Sequence, residues 1–306
     1  VISAPDVESI YDVPLNFEKD GLGKILCDVL GVKDKPAHLS DWEKFVAKTK
    51  NGSRKLNIAV VGKYFMSGDY VLSDVYISVI ESLKHAASAN DVGVKLAYLD
   101  SEEYEKDPKK LEELREYDGV LVPGGFGSRG VEGIISAIQF VRENKIPYFG
   151  LCYGMQLMVI EYARNVAGIP DAHTAEIKPN AKNTVIDLMP EQKEKMARGE
   201  YGGTMRLGTY SCKLQKGTIA REAYGKDEVK ERHRHRYEVN PELISKLEDA
   251  GLNFSGISPD GTLMEIAELP REKHPFMLGT QFHPEFLSRP LKPHPLFLEF
   301  VREAAK

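Results

Sequence analysis

From Leu56 onward, short apolar runs alternate with amphipathic stretches. Leu56 to Val61 (LNIAVV) is an apolar, β-branched run closing at Gly62, which predicts a buried strand. Ser73 to Ala89 carries Val75, Val79, Leu83 and Ala86 at helical spacing and reads as a helix. Val94 to Leu99 reads as a second strand and Pro108 to Glu116 as a charged helix. Gly119 to Val122 is a third strand that runs into Pro123-Gly124-Gly125, followed by a helix from Val131 to Arg142. Pro147 to Leu151 is a fourth strand, with a helix after it from Gly154 to Val166. Strands alternating with helices give parallel βαβ units. The expected fold class is therefore α/β, a doubly wound, mostly parallel sheet flanked by helices. Sites in such sheets collect at the carboxyl ends of the strands.

The pattern weakens after Gly168. Residues 171–217 are polar, Gly-rich and irregular. Pro241 to Ala250 reads as a helix, while Phe254 to Ile257, Leu263 to Glu268 and Phe276 to Phe282 read as strands. A last helix runs from Pro295 to Ala304. Residues 1–55 lack a strong apolar strand. Within them Gly21 to Leu30 and Ser40 to Lys50 read as short amphipathic helices, with Ser40 as the N-cap ahead of Trp42, Phe45 and Val46. Asn51-Gly52-Ser53 is a turn or linker signal. The expected organisation is a helical segment over residues 1–55 and an α/β domain over 56–306.

Composition narrows the classes. Of 306 residues, 42% are hydrophobic and 28% charged, which suits a globular chain with a sizeable core. A net charge of -5 argues against a nucleic-acid binder held by bulk charge. No apolar run approaches the roughly 18 residues of a membrane span. No basic stretch followed by an apolar one marks a secretory signal at the N-terminus. Cys27, Cys152 and Cys212 are odd in number and far apart, which suits a reducing cytoplasm rather than a disulfide framework. The chain begins at Val1 rather than Met, and reads as a piece of a longer protein or a processed one.

The chemistry concentrates at Phe149-Gly150-Leu151-Cys152-Tyr153-Gly154-Met155-Gln156. An apolar strand runs into a cysteine flanked by glycines, then into a helix. The order Gly-x-Cys-x-Gly matches the nucleophile elbow Gly-x-Ser-x-Gly with sulfur in place of oxygen. The glycines permit a sharp turn and close helix packing. The helix N-terminus favours the thiolate. The bland alternative is a buried cysteine acting as a small hydrophobe. A thiol nucleophile needs a base and a group to orient that base. Gln281-Phe282-His283-Pro284-Glu285-Phe286 supplies both: His283 closes a strand, and in extended backbone Glu285 points to the same side. A surface His-Pro-Glu turn is the competing reading. Oxyanion donors are expected from the N–H of Tyr153 and from the Pro123-Gly124-Gly125-Phe126-Gly127 loop, whose glycines let backbone approach substrate. That loop lacks the order of a phosphate-binding Gly-rich loop.

Together these motifs resemble the class I, triad-type glutamine amidotransferases. Further stretches are similar to the glutaminase domains of the CTP synthase family: Arg129 to Gly133, Gly202 to Gly208, Glu231 to Asn240 and His283 to Pro290. Ser9-Ile10-Tyr11-Asp12-Val13-Pro14-Leu15 resembles the tail of that family's synthetase domain and the linker after it. The resemblance implies a triad of Cys152, His283 and Glu285, with Gly125 and Tyr153 as oxyanion donors. It implies that Gln156, Glu176 and Arg236 grip L-glutamine, Glu176 at the α-ammonium and Arg236 at the α-carboxylate. Tyr153 stands where leucine is commoner, and His173-Thr174-Ala175-Glu176 replaces an expected Asn-Ser-Thr-Glu run. The resemblance implies no metal or cofactor in this chain. ATP, Mg and UTP belong to an amidoligase domain of the same polypeptide ahead of Val1, GTP activates, and the whole enzyme is a homotetramer. It implies neither a membrane nor a nucleic-acid partner, although the Arg/His run 232–236 leaves a nucleic-acid reading open, and His233/His235 a metal one. A γ-glutamyl hydrolase or cysteine peptidase, and a catalytically silent regulatory module, are the other functional readings.

Overall fold

The computed structural model describes residues 2–51, 54–63, 66–67, 70–71, 76–189 and 205–306. The chain opens with a 3-10 turn (Ile10–Asp12) and three helices, α1 (Val13–Lys19), α2 (Leu22–Leu30) and α3 (Ser40–Asn51). Then come β1 (Lys55–Gly62), a ribbon of β2 (Met66–Ser67) and β3 (Tyr70–Val71), α4 (Ile77–Ala89), β4 (Gly93–Asp100) and α5 (Ser101–Lys106). A 3-10 helix (Pro108–Glu116) leads into β5 (Gly119–Val122), α6 (Val131–Asn144), β6 (Tyr148–Leu151) and α7 (Tyr153–Asn165). The remainder comprises β7 (Ala172–Thr174), β8 (Asn183–Leu188), β9 (Arg206–Leu214), α8 (Ile219–Tyr224), β10 (Glu228–His235) and β11 (Tyr237–Val239). It ends with α9 (Ile244–Asp249), β12 (Asn253–Ile257), β13 (Met264–Glu268), β14 (Met277–Thr280) and α10 (Pro295–Ala304).

Among the described residues one large sheet has the order β10-β9-β12-β13-β14-β6-β5-β1-β4. From β4 to β14 the pairing is parallel, as the βαβ alternation requires. From β14 outward to β10 it is antiparallel. A small sheet, β11-β8-β7, stands beside it. Its central strands, such as β5, β6 and β14, are buried on both faces and so read as continuous apolar runs. Along β1, Leu56, Ile58 and Val60 pack on one side with α4 and α10 residues such as Leu83, Phe297 and Phe300. Ala59 and Val61 pack on the other with α6 and α7 residues such as Ile134, Ile138 and Leu157. A separate cluster of Tyr11, Phe45 and Val46, with Leu15 and Trp42 against it, joins the N-terminal helices. Tyr11 links this cluster to α4 through a hydrogen bond to Glu81.

Several sequence expectations are corrected. Ser40 is the first residue of α3, not its preceding cap: the Glu43 N–H donates to the Leu39 carbonyl at 2.8 Å. Pro108–Glu116 coils as a 3-10 helix, begun by the Asp107 side chain accepting from the Lys109 N–H. The Pro241–Ala250 helix divides into a 3-10 turn (Pro241–Leu243) and α9. The polar stretch 171–217 contains β7, β8 and β9. Residues 52–53 of the expected turn, 73–75 of the expected helix and 202–204 of the family-like stretch lie outside the described residues. Among the described residues no helix is long and apolar enough to cross a membrane.

Candidate active site

Cys152 sits where β6 hands over to α7. Its backbone is held at φ 49° and ψ -95°, a region costly for any residue bearing a Cβ. Two bonds hold that turn: the Cys152 N–H donates to the Thr280 carbonyl at 2.6 Å, and the Cys152 carbonyl accepts the first helical N–H, from Gln156, at 3.1 Å. The flanking glycines are sterically required. A Cβ on Gly154 would stand 2.3 Å from the Val122 carbonyl oxygen, and one on Gly150 would stand 2.7 Å from the Gly154 carbonyl carbon. The cysteine occupies the N-cap position without using its side chain as a cap, so its sulfur faces the dipole end of α7 and remains available for chemistry.

His283 and Glu285 meet as the sequence suggests, by a different backbone route. β14 ends at Thr280, and Pro284–Phe286 forms a 3-10 turn rather than extended chain. The turn brings Glu285 Oε1 to 2.8 Å from His283 Nδ1. The His283 N–H donates to the Arg232 carbonyl at 2.8 Å, the Ser82 hydroxyl donates to the Glu285 carbonyl at 3.3 Å, and the Phe286 ring stacks on the imidazole. Burial is the strongest single influence on His283 and disfavours its charged form. The charge of Cys152 and its hydrogen bond, reinforced by Glu285, outweigh burial and hold His283 well above the ordinary histidine range. Cys152, His283 and Glu285 thus form one connected set, with the imidazole between the sulfur and the carboxylate. Gly124 is pressed against the pair: a Cβ there would stand 2.9 Å from His283 Cε1.

A cavity of about 560 Å³ opens over the sulfur. It is lined by Gly125, Cys152, Gln156, Glu176, Arg236, His283 and Glu285, so all but one of the residues selected from sequence converge there. The exception is Tyr153. Its side chain turns away, and its hydroxyl donates to the Gly127 carbonyl at 2.6 Å. Tyr153 opens α7, and the first N–H groups of a helix have no partner within it. The glycine loop is clamped at Gly127: Glu176 Oε1 accepts from its N–H at 2.8 Å, and Lys63 Nζ donates to its carbonyl at 2.6 Å. Burial pushes the Lys63 ammonium down to about 8.

Behind the cavity lies a buried polar network that sequence reasoning missed. Arg206 bonds Glu265 Oε1 at 2.7 Å, His233 Nδ1 lies 2.9 Å from His235 Nε2, and His235 Nδ1 lies 3.2 Å from Glu238. Burial pushes His233 down to about 2 and His235 to about 3, so both rings stay neutral. Burial also drives the Glu238 carboxyl far up and Glu265 up to about 7. The two histidines point at each other, and among the described residues no group of three or more His, Cys, Asp or Glu could hold a metal. Residues 232–235 of the Arg/His run lie on the edge strand β10, with Arg232 and Arg234 exposed and His233 and His235 buried, and Arg236 follows the strand. The period-two alternation was its only signal, and it was hidden because both faces are polar.

A family model for "glutamine amidotransferase class-I" matches residues 71–303. The chain is 51% identical over 306 residues to the CTP synthase of Carboxydothermus hydrogenoformans, covering 100% of this chain and 55% of that protein. It is 51% identical over 305 residues to the CTP synthase of Pyrococcus abyssi, covering 99% of this chain and 55% of that protein. The chain thus spans about half the length of the curated relatives it matches. The solved glutaminase domain of Trypanosoma brucei CTPS, with bound acivicin, is 39% identical with a TM-score of 0.75, over 82% of this chain and 94% of that one. With its cysteine elbow, its histidine–glutamate pair and these similarities, the chain belongs to the class I glutamine amidotransferases and, among them, to the glutaminase domains of the CTP synthase family.

Proposed function

We propose that this chain hydrolyses L-glutamine to glutamate and ammonia, as the glutaminase half of a CTP synthase. The observation that carries the reading is the 2.8 Å His283–Glu285 pair beside a cysteine held at positive φ on a helix N-terminus. The Cys152 thiolate attacks the side-chain amide carbon, and the oxyanion is held by the N–H groups of Gly125 and Tyr153. As the C–N bond breaks, imidazolium His283 gives its proton to the leaving nitrogen, releasing ammonia and leaving a glutamyl thioester. Neutral His283 then takes a proton from water. The resulting hydroxide attacks the thioester, the C–S bond breaks, and glutamate departs with Cys152 again a thiolate. Gln156, Glu176 and Arg236 hold the substrate, with Glu176 toward the α-ammonium and Arg236 toward the α-carboxylate.

Within the whole enzyme, residues 1–55 connect this domain to an amidoligase domain that uses ATP, Mg and UTP. The ammonia made here aminates UTP there, GTP activates the coupling, and the assembly is a homotetramer. The direct test is ammonia release from L-glutamine by the chain and by Cys152→Ala, each alone and with the amidoligase domain added. Release that vanishes in the variant supports the reading. Release that survives the substitution, or none from a folded sample under either condition, refutes it.

A further inference from the structure

One buried side chain beside the nucleophile has no part in the mechanism above. Gln281 follows the last residue of β14, whose carbonyl holds the Cys152 N–H, and it is fully buried. Its backbone N–H donates to the Glu265 carbonyl at 2.8 Å, so its position is set by the sheet. Its Nε2 lies 3.6 Å from Cys152 Sγ, and its Oε1 lies 3.2 Å from Gln156 Nε2. Gln156 Nε2 also donates to the Tyr237 carbonyl at 3.2 Å.

Donor and acceptor rules then leave one arrangement. A backbone carbonyl only accepts, so Gln156 must turn its NH₂ toward Tyr237. That NH₂ also faces Gln281, which must answer with its oxygen. The Gln281 NH₂ is thereby directed at the sulfur. A flipped Gln281 would set two NH₂ groups against each other and an oxygen against the sulfur lone pairs. A fixed N–H donor stabilises a thiolate more than a thiol, because hydrogen bonds to charged groups are the stronger ones.

We propose that Gln281 is a positioning residue for the nucleophile: a relay from the Tyr237 carbonyl through Gln156 and Gln281 presents a fixed N–H donor to the Cys152 thiolate. The relay begins at a residue lining the substrate cavity, so occupancy of that cavity and the polarity of the sulfur are physically linked. The proposal rests on Cys152 being the glutaminase nucleophile, but its test does not need turnover.

The experiment is the pH profile of iodoacetamide alkylation, read at the Cys152 peptide by mass spectrometry so that Cys27 and Cys212 do not interfere. Gln281→Met keeps the length and removes the donor. Its alkylation midpoint is expected to rise by about one pH unit, which is about tenfold slower alkylation below the midpoint. Gln281→Glu keeps an acceptor for Gln156 and sets a carboxylate beside the sulfur. Its midpoint is expected to rise further, and this variant carries the test if the methionine variant does not fold. In ammonia release, kcat is expected to fall with KM little changed. An alkylation midpoint unmoved in the folded variants overturns the proposal, whatever happens to turnover. A moved midpoint, where the folded parent releases no ammonia either alone or with the amidoligase domain added, upholds the relay and removes the glutaminase reading instead.

Discussion

The contact between α7 and the sheet sets how firmly the nucleophile is placed, and Gly154→Ala probes it. The new Cβ would stand 2.3 Å from the Val122 carbonyl oxygen and 3.1 Å from its carbonyl carbon and Cβ. Restoring ordinary contact requires α7 to withdraw from β5 by roughly 1 Å. Val122 is backbone in the middle of the sheet and cannot yield as a flexible side chain would. Overpacking of this kind costs about 1–3 kcal/mol. Alanine's better helix propensity offsets at most about 1 kcal/mol of that. Gly154 is not at positive φ, so the penalty is steric rather than conformational. Cys152 caps the same helix, and a shift of about 1 Å at a reacting atom costs on the order of a hundredfold in rate. Urea unfolding followed by circular dichroism, together with ammonia release, reads both effects. A variant within about 0.5 kcal/mol of the parent, with turnover within about twofold, would refute the claim that this contact positions the nucleophile.

Two further outcomes follow from burial and backbone geometry. Cys152→Gly relieves the positive φ that Cys152→Ala retains, so the glycine variant should be the more stable by about 1 kcal/mol in chemical denaturation, with both inactive; an alanine variant that is the more stable would show that the elbow stores no strain. His274 is buried and neutral, with Nδ1 accepting from the Phe276 N–H and Nε2 directed at the Val141 carbonyl, and burial pushes it down to about 4. Between pH 6.5 and about 4 the unfolded chain binds the extra proton, so stability falls as pH drops through that window, by about 2 kcal/mol from this residue at pH 5. Denaturation of parent and His274→Gln at pH 7 and pH 5 checks the sign: the variant should lose less, and equal losses would contradict it.

The sequence by itself determined the parts whose physics is local. β1, β5 and β6 are short apolar runs because each is buried on both faces, and burial of that kind is written directly in residue type. The elbow was legible because Gly150 answers a steric demand within the turn itself, at the Gly154 carbonyl carbon, whereas the demand on Gly154 comes from Val122 on the neighbouring strand β5 and only the fold reveals it. His283 and Glu285 were legible as a pair, but extended backbone was the wrong reason. The proline starts a 3-10 turn, and the turn brings the two side chains together. Tertiary structure alone decided the rest. β10 carries no apolar alternation because the face it buries holds Glu231, His233 and His235, and such a face is stable only where the fold supplies partners such as Arg206, Tyr224 and His294. The donor order running from Tyr237 through Gln156 and Gln281 to Cys152 joins residues 81, 125 and 129 positions apart. Hydrogen bonds of that reach depend on which strand lies beside which, a choice made by sheet order and helix packing that no local pattern records.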